Sequence, residues 1–190
     1  MKRFFTILCV FLGISAIASA QPRSVGIRAG IKGLEASYTH KLDYKKFIEG
    51  NAGFDFSYNG KTGFKATGIY NVIWARPEWT KKGRWILYAG AGASTGWVHD
   101  MCVQKEGDER LGYMDAGFMI SAVVQVGLEY NFDFPLQLAL DVRPYLGIHV
   151  NDGRTFDKIS DVKKSYGSTV GLYDNGLRGL IPSISVRYSF

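Results

Sequence analysis

Few side chains in this 190-residue chain are of types that carry chemistry. The histidines are His40, His99 and His149. They lie far apart, and none has the short spacing of a metal-ligand pair. Gly90-Ala-Gly-Ala-Ser-Thr-Gly96 has the look of a phosphate-binding loop, which needs a strand before it and a helix opening after it. Here apolar alternation runs on through Trp97 and no helical pattern follows. Gly90, Gly92 and Gly96 therefore read as interior room for longer side chains opposite. Cys102 reads as a free loop thiol, with an intermolecular bond as its alternative. His149 is the one position where a catalytic base has a plausible inward setting, and no serine is tied to it by a motif. The chain is read as a non-enzyme, with no catalytic residue, no metal and no cofactor.

What remains is charge. Arg28, Lys41, Lys65, Arg143 and Arg187, with Glu35, Glu49, Asp55, Glu129 and Asp141, all fall on the polar parity of alternating segments. Whether that parity faces water or an interior depends on the elements that carry it.

Residues 1–20 read as a cleaved signal peptide for export through the Sec route. Lys2 and Arg3 open it, Phe4 to Ile17 is apolar, and Ala18-Ser19-Ala20 is a small-residue cleavage site. The remaining 170 residues fit one domain, 21–190. They carry 21 basic and 17 acidic side chains, an excess too small and too dispersed to suggest nucleic acid as a partner. One cysteine is left, so no internal disulfide staples the exported chain. No run beyond Ala20 approaches the eighteen apolar residues of a spanning helix. Glycine and aromatics are abundant, the latter at 14%.

Period-2 alternation predicts eight strands: Ser24 to Ile31, Leu34 to Leu42, Ile48 to Tyr58, Phe64 to Trp74, Trp85 to Val98, Ile120 to Phe132, Leu136 to Val150 and Gly176 to Phe190. Asn59-Gly60 is a hairpin signal. Two polar stretches, His99 to Gly117 and Asn151 to Asn175, read as long loops. The last strand shows the pattern most clearly, with Ile184, Val186, Tyr188 and Phe190 against Ser183, Ser185, Arg187 and Ser189. Eight such strands joined in sequence predict an all-β, up-and-down antiparallel barrel.

The leader, the eight strands, Leu-Asp-Val-Arg-Pro at 140–144 and the closing Ser-Val-Arg-Tyr-Ser-Phe together resemble the small eight-stranded outer-membrane β-barrel family. The likeness covers nearly the whole exported chain. It implies a transmembrane barrel of the cell envelope, in the bacterial outer membrane among outer-membrane lipids. Tyr188 and Phe190 would be the insertion signal, with the barrel assembly machinery and periplasmic chaperones as partners during biogenesis. Both long loops would face outward toward an unidentified surface partner, and the short turns near Asp43, Pro77 and Asp133 would face the periplasm. Trp74, Trp85, Tyr130 and Phe132 fall near periplasmic strand ends and Trp97 near an outer end, where aromatics anchor barrels at the membrane interface. The fold alone does not settle the task. A structural or surface-interaction role is the first expectation. A narrow, porin-like channel for ions or small solutes and a lipid-modifying enzyme with a His and a Ser are alternatives. A soluble exported barrel of the lipocalin kind is a fourth reading, and it would turn Arg28, Lys65, Glu129 and Arg187 out to water.

With the apolar face toward lipid, the charged parity points inward. Arg28, Glu49, Asp55, Lys65, Glu129, Asp141, Arg143 and Arg187 are then expected to pair across a closed lumen, since a barrel of eight strands is only wide enough for side chains. Asp141 and Arg143 share one inner face, with Arg187 as their expected partner. Glu35 and Lys41 are expected at the rims, in solvent.

Overall fold

The computed structural model describes residues 22–31, 33–56, 61–106, 109–151, 170–174 and 179–190, with the backbone alone over 100–106, 109–115, 151 and 174. The expected signal peptide, Tyr58 and most of the second polar stretch lie outside these residues. Ten β segments are present: β1 (Arg23–Gly30), β2 (Gly33–Lys41), β3 (Lys46–Phe56), β4 (Thr62–Ala75), β5 (Arg84–Glu106), β6 (Glu109–Asn131), β7 (Leu136–Val142), β8 (Tyr145–Asn151), β9 (Val170–Asp174) and β10 (Ser183–Ser189).

All pairings are antiparallel, and they close. The order β5-β4-β3-β2-β1-β10-β7-β6 returns to its start through β5–β6. β7 and β8 are two halves of a seventh barrel strand, both paired to β6, while β9 and β10 are two halves of an eighth. The molecule is therefore an eight-stranded antiparallel barrel with up-and-down neighbours. Within the ring β5-β4-β3-β2-β1-β10-β7-β6 every strand has a neighbour on both sides, while β9 is paired to β8 alone among the described residues. Strands β1 and β10, the two ends of the chain, seal the ring with Ile27 opposite Val186 and Arg28 opposite Ser185.

The structure revises three sequence expectations. His99 to Gly117 is not a loop. β5 and β6 continue through it in unbroken register, from Val98 opposite Gly117 to Glu106 opposite Glu109. β4 leaves β5 at Trp97 and β8 leaves β6 at Gly117. Among the described residues, 99–106 and 109–116 therefore pair only with each other. At about 3.3 Å per residue, this two-stranded arm reaches roughly 25 Å past the barrel wall. The sequence there is polar and its alternation fades, which is why the pattern predicts a loop.

Strand breaks account for the other two revisions. Leu136 to Val150 is interrupted at Arg143-Pro144, because Pro144 has no N–H to donate. The ladder is bridged there by Arg143 N donating to Gly179 O at 3.0 Å and Val124 N donating to Pro144 O at 3.2 Å. The eighth strand does not run unbroken from Gly176. Its first half lies earlier, at β9, inside the stretch expected to be a loop. A short 3₁₀ turn at Gly179–Leu180 and Pro182 separate it from β10.

Alternation sends apolar side chains outward along every strand. Ile27 and Ile184 are each 57% exposed, while Arg187 between Val186 and Tyr188 is 1% exposed. Arg28, Lys65, Glu129 and Arg187 all face the lumen, the reverse of a soluble barrel with an apolar interior. Among the described residues no helix is long and apolar enough to cross a membrane.

Candidate functional site

The lumen holds the residues of most chemical interest. Nine charged side chains, each 1–6% exposed, form one chain of alternating sign. It starts at Asp55, which accepts from Lys65 Nζ at 3.2 Å, and Lys65 reaches Glu35 at 3.3 Å. Glu35 accepts from Arg28 at 3.1 Å, and Arg28 donates onward to Asp141 at 2.9 Å. Asp141 also meets Arg143 at 2.9 Å, and Arg143 reaches Glu49 at 2.5 Å. Glu49 accepts from Arg187 at 2.7 Å, and Arg187 ends the chain on Glu129 at 3.3 Å. Neutral groups fill in around it. Ser37 Oγ accepts from Arg187 Nε at 2.9 Å, and Gln125 Nε2 donates to Glu49 at 3.2 Å. Ser24 and Thr39 hydrogen-bond to each other, as do Thr67 and Ser94 at 2.8 Å.

Strand register explains the order. Arg28 stands opposite Glu35 across β1–β2, and Gly53 next to Asp55 stands opposite Lys65 across β3–β4. The arginines are long enough to cross the lumen and join carboxylates from non-adjacent strands. Each buried charge is paired, as burial in a low-dielectric interior requires. The structure brings together Arg28, Glu49, Asp55, Lys65, Glu129, Asp141, Arg143 and Arg187. It adds Glu35, which is buried rather than at the rim, because its place opposite Arg28 leaves it within reach of Lys65. Arg187 does not meet Asp141. Ser183 occupies the position opposite Asp141, and Arg187 stands opposite Gln137, two pleat repeats toward the short-connection end. Lys41 lies half-buried at that rim, as expected.

Two apolar clusters fill much of the remaining lumen. Phe47, Ile73, Ile86 and Tyr88 lie toward the end where the short connections are. Ile69, Val98, Met119, Val123, Tyr145 and Tyr173 form the other. Tyr88 is accommodated by the glycine opposite, since a Cβ on Gly127 would come within 2.3 Å of its ring. Gly90 likewise makes room for the Asn71 amide, whereas Gly92 and Gly96 are required by close backbone approach of Gly68 and Phe64. Between Arg28, Lys65, Arg143 and Tyr145 only a cavity of about 40 Å³ is left. An open vestibule of about 960 Å³ lies at the short-connection end, bounded inward by Ile73 and Ile86. Among the described residues, these side chains pack the middle of the lumen.

No catalytic grouping is assembled among the described residues. His149 is 1% exposed, its ring 6.4 Å from that of Tyr173, and neither ring nitrogen has a hydrogen-bond partner among those residues. His40 stacks on Tyr38 at 6.5 Å near a strand end, and His99 lies in β5 opposite Ala116. Cys102 lies in the strand portion of the arm, opposite Tyr113, rather than in a loop. No group of three or more His, Cys, Asp or Glu among the described residues is placed to hold a metal ion.

Aromatic residues gather on the outer surface at the short-connection end. Trp79, Trp85, Tyr130, Phe132 and Phe134 form a continuous run with successive centroid separations of 5.4, 4.6, 4.7 and 4.9 Å. The 76–83 connection is tied down against it. Trp85 Nε1 donates to Thr80 Oγ1 at 3.1 Å, Tyr130 Oη donates to Lys82 O at 2.9 Å, and Asp133 accepts from Gly83 N at 3.1 Å. Gly83 has φ +69°, which glycine adopts without strain. Trp74, Tyr188 and Phe190 are also exposed outward at this end, and Trp97 lies exposed toward the other. In comparisons with known proteins, no family model, no curated protein and no solved structure matches this chain.

Proposed function

We propose that the chain is an integral outer-membrane β-barrel with a structural or surface-interaction role. The inverted polarity of the barrel carries this reading. An apolar exterior around a buried, fully paired charge network is stable where the surroundings are hydrocarbon, and strands can cross hydrocarbon only as a closed ring. The aromatic run at the short-connection end fits the level of a headgroup layer. The leader and the closing Tyr188 and Phe190 agree with delivery by export and barrel assembly. On this reading the β5–β6 arm lies at the outer face and is the surface offered to a partner.

The side chains packed into the lumen among the described residues disfavour a general porin. Fractionation of the native envelope tests the proposal. The protein is expected in the outer-membrane fraction, resistant to extraction at high pH and heat-modifiable on gels. Recovery in the soluble periplasmic fraction would refute it.

A further inference from the structure

The short-connection end of the barrel carries an excess of basic side chains. Of the 21 basic and 17 acidic side chains beyond residue 20, four cations and five carboxylates belong to the lumen chain. The short-connection end carries eight basic side chains against Asp43, Glu78 and Asp133. Four of the eight are exposed lysines: Lys45, Lys81 and Lys82 on the connections and Lys46 at the start of β3. Arg23, Lys41, Arg76 and Arg84 stand at the adjoining strand ends.

Two of the three carboxylates there are already engaged. Asp43 accepts from Lys45 N at 2.6 Å and makes a long, solvent-exposed pair with Lys46 Nζ at 3.9 Å, and Asp133 accepts from Gly83 N at 3.1 Å. Arg76 is held in place over the Tyr44 ring, 3.8 Å from its centroid, and donates to Tyr44 O. The cations also have a fixed position relative to the aromatic run. Lys81 and Lys82 share a connection with Trp79, and Lys82 O receives the Tyr130 hydroxyl. Rings of this kind settle at headgroup level in a bilayer, which places the lysines just beyond them at the depth of the phosphates.

We propose that the short-connection end is an electrostatic docking face for anionic phospholipid headgroups, with Lys45, Lys46, Lys81 and Lys82 as its principal contacts. The inference rests on the membrane reading above. Its committed occupant is the phospholipid leaflet on the side of the short connections, because eight basic side chains stand there against three carboxylates, next to the aromatic run. A cation near an anionic leaflet contributes about fivefold in association, so four together favour an anionic over a zwitterionic headgroup by well over tenfold.

The experiment compares wild type with the Lys45→Gln, Lys46→Gln, Lys81→Gln, Lys82→Gln variant. Both are folded into phosphatidylcholine vesicles, and into vesicles mixed with phosphatidylglycerol or with lipopolysaccharide. Lipid retained after gentle extraction is measured by native mass spectrometry. Wild type is expected to retain phosphatidylglycerol over phosphatidylcholine by at least tenfold at low salt and less at high salt. The variant is expected to fold equally well and lose most of that preference. Equal retention of the two lipids by wild type, an unchanged preference in the variant, or selection of lipopolysaccharide instead would overturn the proposal. Failure of wild type to enter pure phosphatidylcholine vesicles would strike the membrane reading itself, and this inference with it.

Discussion

Replacing Glu49 by alanine perturbs the lumen at its most connected point. This carboxylate accepts from Arg143 at 2.5 Å, Arg187 at 2.7 Å and Gln125 at 3.2 Å. In Glu49→Ala, Arg143 keeps Asp141 at 2.9 Å and Arg187 keeps Glu129 at 3.3 Å, so neither guanidinium is left without a counter-charge. Breaking one buried pair costs about 3–5 kcal/mol when the surviving charge is uncompensated. Two pairs are broken here, and each arginine retains one partner, so the expected loss is about 3–5 kcal/mol in all. With a urea slope of about 1–3 kcal/mol/M, the unfolding midpoint should fall by at least about 1 M. Tryptophan fluorescence of the folded barrel in detergent, checked by heat-modifiable gel mobility, reads that midpoint. The double variant Glu49→Ala with Arg187→Ala should be more stable than the sum of the single losses implies, because it removes both halves of one pair. Solvent-exposed pairs contribute only about 0–1 kcal/mol. A Glu49→Ala midpoint indistinguishable from wild type would therefore mean that the lumen is hydrated, and the packed-plug interpretation would fail.

Asp141→Ala should cost about 3 kcal/mol by the same reasoning, since Arg28 keeps Glu35 and Arg143 keeps Glu49; calorimetry of the detergent-folded protein would show it as a lowered melting temperature. Gly127→Ala should destabilise by about 1–3 kcal/mol, because the new methyl group enters the ring of Tyr88; the check is the urea midpoint, with Tyr88→Ala in the same background recovering part of the loss. Replacing Phe190 by aspartate should reduce the amount assembled into membranes far more than shortening the β5–β6 arm, measured by heat-modifiable band intensity. Protease added to whole cells should cut within the arm, at Lys105 or Arg110, and spare Lys81 and Lys82; the reverse pattern would invert the orientation.

Much of the barrel was legible because alternation reports which face is buried, and here every strand has one face against the lumen. That signal located Arg28, Glu49, Asp55, Lys65, Glu129, Asp141, Arg143 and Arg187 on the inner wall. It failed where its physical basis lapses. Over 99–116 the sequence is polar and the alternation is lost, so the paired extension of β5 and β6 reads there as a loop. Phe47, Ile69, Ile73, Ile86, Val98, Met119 and Val123 are apolar residues facing inward, and parity alone gave no reason to seek an apolar lumen wall. The breaks at Pro144 and Pro182 had a signal in the missing N–H, which the continuing alternation outweighed. Pairing partners were the least legible. Long arginines skip strands, so the ties of Arg187 to Glu49 and Glu129 follow from three-dimensional closure rather than from sequence neighbours.

The claim beneath all of this is that the apolar exterior meets lipid. It is tested most directly by fluorescent labels on single cysteines at Ile184, Leu140 and Val124, in a Cys102→Ser background, with a fourth label at Lys82 as reference. The barrels are folded into vesicles containing brominated-acyl lipids, and quenching by those lipids is compared with quenching by aqueous iodide. The expected result is strong lipid quenching and little iodide quenching at the three strand positions, with the order reversed at Lys82. Iodide quenching at Ile184, Leu140 and Val124 as strong as at Lys82, with no effect of brominated chains, would contradict the membrane barrel.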